Sequence, residues 1–491
     1  LSTREVYRRT VESSVWMTLN IFVQRAAGIV TFLILSRFIL PEEYGILTAA
    51  MIVVGFLNVI SQTGFEGAMI QSKEDIGPYL NRVWTLNLLK GCLLFAVIYF
   101  SAPWTAEFLN IEEHVNVIRF AGLYPLAEAF NNIGILYFSK DINFKMIFLR
   151  DLGAPFAFLG FALIWAYYDA SVWALAAGHL GSYLWTMIAS YFLSPYRPRL
   201  DFKFRGLKKF IRYGKWAVAS NLANYVNNAI DGAFLSNLLG PQRLGIYSKA
   251  RDFSIIPSSY IAQISMKVGF PSIAKIQDEP EAIRGALSKL YELTLFLSLP
   301  FSVILFTQAH HLIELLLVDT WQEVVFPLKF LLIAMMFRGF IIITSPLFNG
   351  LGKPNLYFGS IMIQIITSFF ALMYLVPRYD IMGAAYATIL AMGVTFLFTS
   401  FAAIRLTKLN VLKLIPSTVM IVLSSAVMAV ASIAFNRYLP DPSLPVYAAF
   451  LIGLGVLYLG QIVLFAKKFN LGPAKILLDM TQRLFEKKSA A

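Results

Sequence analysis

Runs of about 20 predominantly apolar residues recur from one end of this 491-residue chain to the other, each closed by a short polar or basic segment. Fourteen such runs can be placed, at about 12–38, 44–70, 80–101, 114–138, 150–168, 172–194, 211–237, 245–273, 286–308, 324–348, 354–376, 380–404, 413–435 and 445–466. At roughly 1.5 Å of rise per residue, nearly all are long enough to cross a hydrocarbon core roughly 30 Å thick. The pattern predicts an all-α polytopic membrane protein of about 14 transmembrane helices. An even number of spans puts both termini on one side.

One polar interruption occurs twice. Residues 35–46 read LSRFILPEEYGI and residues 235–246 read LSNLLGPQRLGI, so that Leu, Ser, Pro, Gly and Ile recur in register 200 positions apart. Pro41 and Pro241 suit the first turn of a new helix, where an N–H would be unpaired anyway, and Gly45 and Gly245 allow close approach of a neighbouring helix. An equal number of apolar runs follows each copy, which predicts a parallel repeat of two six-helix lobes. The last two runs carry no charge and read as two peripheral C-terminal helices. The expected divisions are an N-lobe over 1–194, a basic linker over 195–210, a C-lobe over 211–405, the two extra helices over 406–468 and a cytoplasmic amphipathic tail over 469–491.

Composition agrees with a membrane chain, since 58% of the residues are hydrophobic and only 14% charged. The net charge of +13 is spread over many short loops and forms no single stripe, which argues against nucleic acid. With the N-terminus in the cytoplasm, 28 lysines and arginines fall in cytoplasmic segments and only Arg37, Arg243, Arg378 and Arg437 in outer ones. That asymmetry fixes the expected orientation, both termini cytoplasmic, and supports the segment count, because one missed span would scramble the alternation. Arg4, Arg8 and Arg9 before the first run resemble a signal peptide, but the run is too long for one and reads as the first span. The single Cys92 cannot form a disulfide within the chain.

Charges and amides inside apolar runs are the informative chemistry, because a charge at mid-membrane costs about 2.5–3.5 kcal/mol on insertion scales and faces a bundle interior or an aqueous cavity. Nine basic residues lie in or near spans: Arg25, Lys90, Arg119, Lys215, Lys249, Arg251, Lys267, Lys329 and Arg338. Those near span ends can snorkel. Arg25, Lys90 and Arg338 are mid-span, and for Arg25 and Arg338 two readings stand, a cavity lining or a buried ion pair. Asn58, Gln62 and Glu66 fall at i, i+4 and i+8 of the second span, and Asn221, Asn224, Asn228 and Asp231 at i, i+3, i+7 and i+10 of the seventh. Each set predicts one polar stripe. Further stripes are Tyr260, Gln263 and Lys267, then Asn87 and Lys90, then Glu128, Asn131 and Asn132. Such stripes serve either as interhelical hydrogen-bond glue or as a cavity wall. Basic residues outnumber Glu66, Glu128, Asp231 and Asp252 at depth, which favours an anion, with phosphate or diphosphate a natural match for guanidinium.

The remaining features add little chemistry. The linker PYRPRLDFKFRGLKKF at 195–210 serves orientation and anionic headgroups, or captures an anionic substrate. His310 and His311 are adjacent and share no helical face, so no metal site is expected with Glu314. Leu477, Met480, Leu484 and Phe485 oppose Lys475, Arg483, Lys487 and Lys488 on a tail helix lying on the cytoplasmic surface. There is no Walker loop, dinucleotide fingerprint or nucleophile elbow, hence no expectation of an enzyme.

LSRFILPEEYGI at 35–46, GFEGAMIQ at 64–71, WALAAGHLGSYL at 173–184, RPRLDF at 197–202 and LGPQRLGIYSKA at 239–250, in a six-plus-six-plus-two plan, resemble the polysaccharide transporter (Wzx-type) branch of the multidrug/oligosaccharidyl-lipid/polysaccharide exporter superfamily. The resemblance covers essentially the whole chain. It implies a flippase that moves a polyprenyl-pyrophosphate-linked oligosaccharide to the outer leaflet by alternating access of two lobes around a cationic cavity. It implies Arg25, Lys90, Lys267 and Arg338 as substrate-binding cations, with Asn58, Gln62, Asn221, Asn224 and Asn228 as polar lining. Glu66 and Asp231 are then candidates to couple transport to H+ or Na+, and no cofactor is expected beyond that ion. Implied partners are the glycolipid, membrane lipids and other polysaccharide-assembly membrane proteins. A multidrug cation exporter of the same superfamily and a membrane glycan polymerase or ligase are the competing readings; the latter usually needs a large outer loop, and the longest here, roughly 309–323, is short.

Overall fold

The computed structural model describes residues 3–62, 64–71, 75–203, 208–258, 276, 279–439 and 443–469. Among them every regular element is a helix. Lys267, Tyr260, Gln263 and the tail after residue 469 lie outside the described residues.

The first helices are α1 (Thr3–Leu35), α2 (Pro41–Ile60), α3 (Phe65–Gln71) and α4 (Gly77–Phe108). Pro41 opens α2 as expected, and Glu42 and Glu43 in the same turn complement the positive end of the helix. The second expected span is not one helix. α2 ends at Ile60, where the Ser61 N–H returns to Leu57 O, and Gly64 at φ +68° turns the chain into α3. Asn58, Gln62 and Glu66 therefore do not form a helical stripe, because the periodicity they were read from is interrupted between them.

The fourth expected span is also broken, into α5 (Val115–Ala121), α6 (Leu123–Ala129), a 3-10 turn at Ile133–Ile135 and α7 (Leu136–Lys140). Asn132 sits extended before that turn and its side chain accepts from the Gly134 N–H, the local bonding by which Asn competes with helix. Next come α8 (Phe144–Leu152), α9 (Ala154–Tyr168), α10 (Val172–Leu193), α11 (Lys208–Leu239) and α12 (Pro241–Ser254). Ser171 caps α10 by accepting from the Trp173 N–H. Then follow α13 (Pro280–Leu316), α14 (Val325–Gly350), α15 (Pro354–Thr407), α16 (Ile415–Tyr438) and α17 (Leu444–Phe469). α15 holds the eleventh and twelfth expected spans, joined where Asp380 leaves helical geometry at φ 55°.

Nine segments among the described residues are long and apolar enough to cross a membrane. The shortfall from fourteen has local causes. The fourth run is broken, the eleventh and twelfth are joined, α10 and α11 fall outside the nine, and most of the eighth run lies outside the described residues.

Contacts gather the chain into two compact units, Leu1–Ser248 with Leu316–Trp321, and Lys249–Leu315 with Gln322–Ala491. The first reaches past the 195–210 linker because α11 packs along α2 and α3. Contact units and sequence-drawn lobes are thus different partitions of the chain.

Within the first unit the two copies of the repeat meet. A Cβ on Gly45 would collide with Pro241 O, and a Cβ on Gly245 with Pro41 O, so the contact is reciprocal and leaves room for glycine alone. Leu35, Ser36, Ile46, Leu235, Ser236 and Ile246 are all buried around it. Trp321 Nε1 donates to Ser36 O at 3.2 Å, with its ring edge-on to Phe32 and Tyr44, while Ser236 Oγ donates to Leu109 O. Lower along α2, the Tyr225 ring of α11 lies over Gly55, and its hydroxyl donates to Ile52 O at 2.8 Å.

In the second unit, Leu295, Phe296 and Leu299 of α13 form one core with Met420, Ile421 and Met428 of α16 and with Leu454, Tyr458 and Ile462 of α17. Buried Gln308 ties the same three helices, donating to Ser432 Oγ at 2.6 Å and Asn436 Oδ1 at 2.8 Å and accepting from Tyr447 OH at 3.0 Å. The last two helices are held to α13 by this apolar and polar contact together.

Candidate functional site

A cavity of about 280 Å³ opens within the first unit, walled by α3, α4, α6, α7 and α8. The breaks that spoil the expected second and fourth spans make it. Gly64 re-aims the chain so that α3 presents Glu66, and the turn at 130–132 brings Asn131 and Asn132 beside Glu128. Lys90 and Asn87 come from α4 and Arg150 from α8. Below the cavity, Phe65, Met69, Ile76, Leu80, Val83, Ile133 and Leu136 pack as one apolar cluster that fixes α3 against the start of α4.

Each cavity carboxylate is held by one amide. Asn87 Nδ2 donates to Glu66 Oε1 at 3.3 Å, and Asn58 Nδ2 donates to Glu128 Oε2 at 3.2 Å. Arg150 is paired with its neighbour, Nε to Asp151 Oδ1 at 2.6 Å, and Asp151 also accepts from Asn20 Nδ2 at 3.0 Å. Lys90 is half-buried and makes no hydrogen bond or ion pair among the described residues. The two asparagines differ in kind. Asn132 is buried and structural: its N–H donates to Ser190 Oγ, its Nδ2 to Tyr196 O, and its Oδ1 accepts from Gly134. Asn131 Oδ1 has no partner among the described residues. The cavity thus mixes two carboxylates, two cations and free amide capacity, one cation being already neutralised.

The other expected residues are distributed elsewhere. Arg25 is exposed on α1 and is not among the residues lining this cavity, and Arg338 is half-buried on α14 in the second unit. Gln62 accepts from Asn221 Nδ2 at 2.9 Å. Asn224 and Asn228 donate to Ser220 O and Asn224 O of their own helix. Asp231 is buried, accepting from Tyr247 OH at 3.0 Å and from the Gly232 N–H. Two other deep cations have local company: Arg119 lies over the Tyr99 ring, 4.9 Å from its centroid, and Lys249 meets Asp252 at 3.2 Å. His310 faces Glu314 at 3.9 Å while His311 stacks on Tyr447, and no metal cluster occurs among the described residues.

Sequence reading missed Arg150 as a cavity residue, since it stands at the cytoplasmic head of the fifth apolar run and was counted among the cytoplasmic basic residues. The available signal was its adjacency to Asp151, a charge pair at the head of an apolar run. The linker was read as serving orientation and anionic headgroups, or as capturing an anionic substrate. Its first half is strapped to α4: Tyr196 OH donates to Asn81 Oδ1 at 2.6 Å, the Asp201 N–H to Thr85 Oγ1 at 2.9 Å, and Arg82 pairs with Asp201 at 3.1 Å. The Lys203 amide, and then Arg82, hold the Asp201 carboxyl below its ordinary range.

Comparison with known proteins places this geometry. The profile of a family described as polysaccharide biosynthesis protein matches residues 34–326. The chain is 23% identical over 344 residues to the lipopolysaccharide biosynthesis protein WzxC of Escherichia coli (strain K12), covering 69% of this chain and 68% of that one. It is 26% identical over 305 residues to the succinoglycan biosynthesis transport protein ExoT of Rhizobium meliloti (strain 1021), covering 61% and 60%. Its fold is shared with the lipid II flippase MurJ in an inward closed conformation, at a TM-score of 0.73 and 14% identity, over 94% of this chain and 100% of that one.

Proposed function

Because the chain belongs to the polysaccharide biosynthesis protein family, we propose that it carries a polyprenyl-diphosphate-linked oligosaccharide from the inner to the outer leaflet of the cytoplasmic membrane, with both termini cytoplasmic. The observation that carries this reading is the polar cavity held inside a helical unit of a multi-pass membrane protein. A polyprenyl tail can stay in lipid while the head crosses, so the protein needs to supply only a polar path for the head. No bond is made or broken. A repeat related in parallel supports alternating access by rocking, and Glu66 and Asp231 are the candidates to couple it to H+ or Na+.

The test uses proteoliposomes and a fluorescent polyprenyl-diphosphate oligosaccharide, scored by access to a membrane-impermeant quencher. Protein-dependent exchange that Arg25→Ala and Arg338→Ala abolish, and that Lys90→Met lowers about tenfold, in folded variants is expected. Exchange that survives all three keeps the flippase and removes these cations from its path. Glu66 and Glu128 in the cavity favour a second reading, export of an organic cation. Efflux of a cationic dye with no glycolipid exchange under either ion gradient would establish that reading instead.

A further inference from the structure

We propose that the cavity of the first unit is a recognition subsite for one uncharged sugar ring of the transported head group, read by Glu66, Glu128 and Asn131, and is not the seat of the diphosphate. The inference rests on the flippase reading and narrows it. Three observations carry it: the charge, the size and the hydrogen-bonding capacity of the cavity.

The charge excludes a polyanion. Two carboxylates face the cavity, and of its two cations Arg150 is already paired with Asp151, leaving Lys90 alone against Glu66 and Glu128. A diphosphate brought here would meet more like charges, Glu66 and Glu128, than unpaired opposite ones, Lys90 alone, and like charges at close range are disfavoured. A bare cation suits the carboxylates but not the rest of the wall, because Lys90 opposes it and the amides of Asn87 and Asn58 already donate to Glu66 and Glu128.

The size selects one ring. About 280 Å³ lies just under the roughly 300–1,000 Å³ of pockets that hold drug-sized ligands. The hydrogen-bonding groups select a polyol. Each hydroxyl donates once and accepts twice, so its natural counterpart is a wall of carboxylate acceptors, amides that do both, and an ammonium donor. Glu66 and Glu128 each keep an oxygen beyond the one their amide engages, Asn131 Oδ1 lacks a partner among the described residues, and Lys90 Nζ supplies donors. Pro125, Ala129 and Ile133 give the C–H face of a ring an apolar surface. A site of this kind discriminates, since a ligand that leaves the buried Asn131 Oδ1 unpaired, or adds a like charge beside Glu66 and Glu128, is disfavoured.

The experiment compares two fluorescent polyprenyl-diphosphate probes that differ only in their single sugar, N-acetylglucosamine or glucuronic acid, in proteoliposomes of the full chain. Equilibrium dialysis of the two radiolabelled methyl glycosides against the purified full chain measures binding directly. The parent is expected to prefer the neutral glycoside at least tenfold, in binding and in transport. Glu66→Gln and Glu128→Gln are expected to cut binding of the neutral glycoside about tenfold and to shrink the neutral-to-acidic ratio, because they lose acceptors and lift the repulsion together. A merely structural role would lower both sugars equally and leave the ratio alone. Asn131→Ala, which breaks no internal bond of Oδ1, is expected to weaken the neutral sugar with unchanged thermal stability. Transport of both probes with binding indifferent to all three substitutions overturns the subsite and leaves the flippase. Binding that depends on Glu66 and Glu128 in a parent that transports neither probe overturns the flippase reading and upholds the subsite.

Discussion

The contact between the two repeat copies and the cavity beyond α2 are opposite solutions within one unit. At Gly45 and Gly245 backbone meets backbone, and Leu35, Ser36, Ile46, Leu235, Ser236 and Ile246 are buried around the contact. At Glu66, Lys90 and Glu128 the helices are interrupted, and polar atoms are only half satisfied by their neighbours. α2 runs on for 15 residues after Gly45 before it ends at Ile60, roughly 22 Å of helix. Tight packing is specified by the absence of side chains, and binding capacity by breaks in helix periodicity; the same unit needs both, since half-paired groups hold their places only on a rigid frame.

Substitution at the first region separates these roles most sharply. Gly45→Val or Gly245→Val places atoms on a proline carbonyl that no rotamer change can relieve, so the cost exceeds the ~1–3 kcal/mol of ordinary overpacking. Folded protein recovered by size exclusion in detergent is expected to vanish, while Gly160→Ala, with nothing within 4 Å of its Cβ, retains it. Trp321→Ala removes a fully buried ring from Phe32 and Tyr44 and the bond to Ser36 O, at about 3–5 kcal/mol. Thermal unfolding should show this as a large drop in midpoint.

The cavity is expected to answer in the opposite currency. Lys90→Met removes no hydrogen bond or ion pair of the described residues, so stability should move by no more than about 0.5 kcal/mol. Glycolipid exchange should nonetheless fall about tenfold. A matched loss of stability and transport would erase the contrast between the two regions.

The smallest effect belongs to the linker strap. The Asp201 carboxyl is held low by the Lys203 amide and Arg82, so its ionised form is favoured in the folded chain. Its contribution is full above the ordinary value of 3.8 and is lost as pH falls through the lower folded value. Parent and Asp201→Asn should therefore differ slightly in the protease sensitivity of the linker at neutral pH, begin to converge as pH falls below 3.8, and coincide once it has passed the lower folded value.

Particular residues show what was legible. Long apolar runs gave the helices because a membrane span has to close its backbone hydrogen bonds within itself, and length alone then reports the element. Pro41, Gly45, Pro241 and Gly245 announced a repeat, although that the copies touch each other was not visible in either. Glu66, Lys90, Glu128 and Asn131 were legible as polar residues that did not belong in lipid. Their grouping was not, because the helical wheel assigned Asn58, Gln62 and Glu66 to one face and the turn at Gly64 redistributes them.

By itself, the sequence determined the all-helical membrane class, the expected orientation and the identity of the costly polar residues, since each follows from local composition and the price of charge in hydrocarbon. Only the tertiary structure decided which of those residues share a cavity, which are spent on their own helix, and that Arg150 arrives already neutralised by Asp151. Those outcomes depend on where helices break and what packs across the break, and side-chain pairing over distances in sequence such as Asn58 to Glu128 is set by that geometry alone.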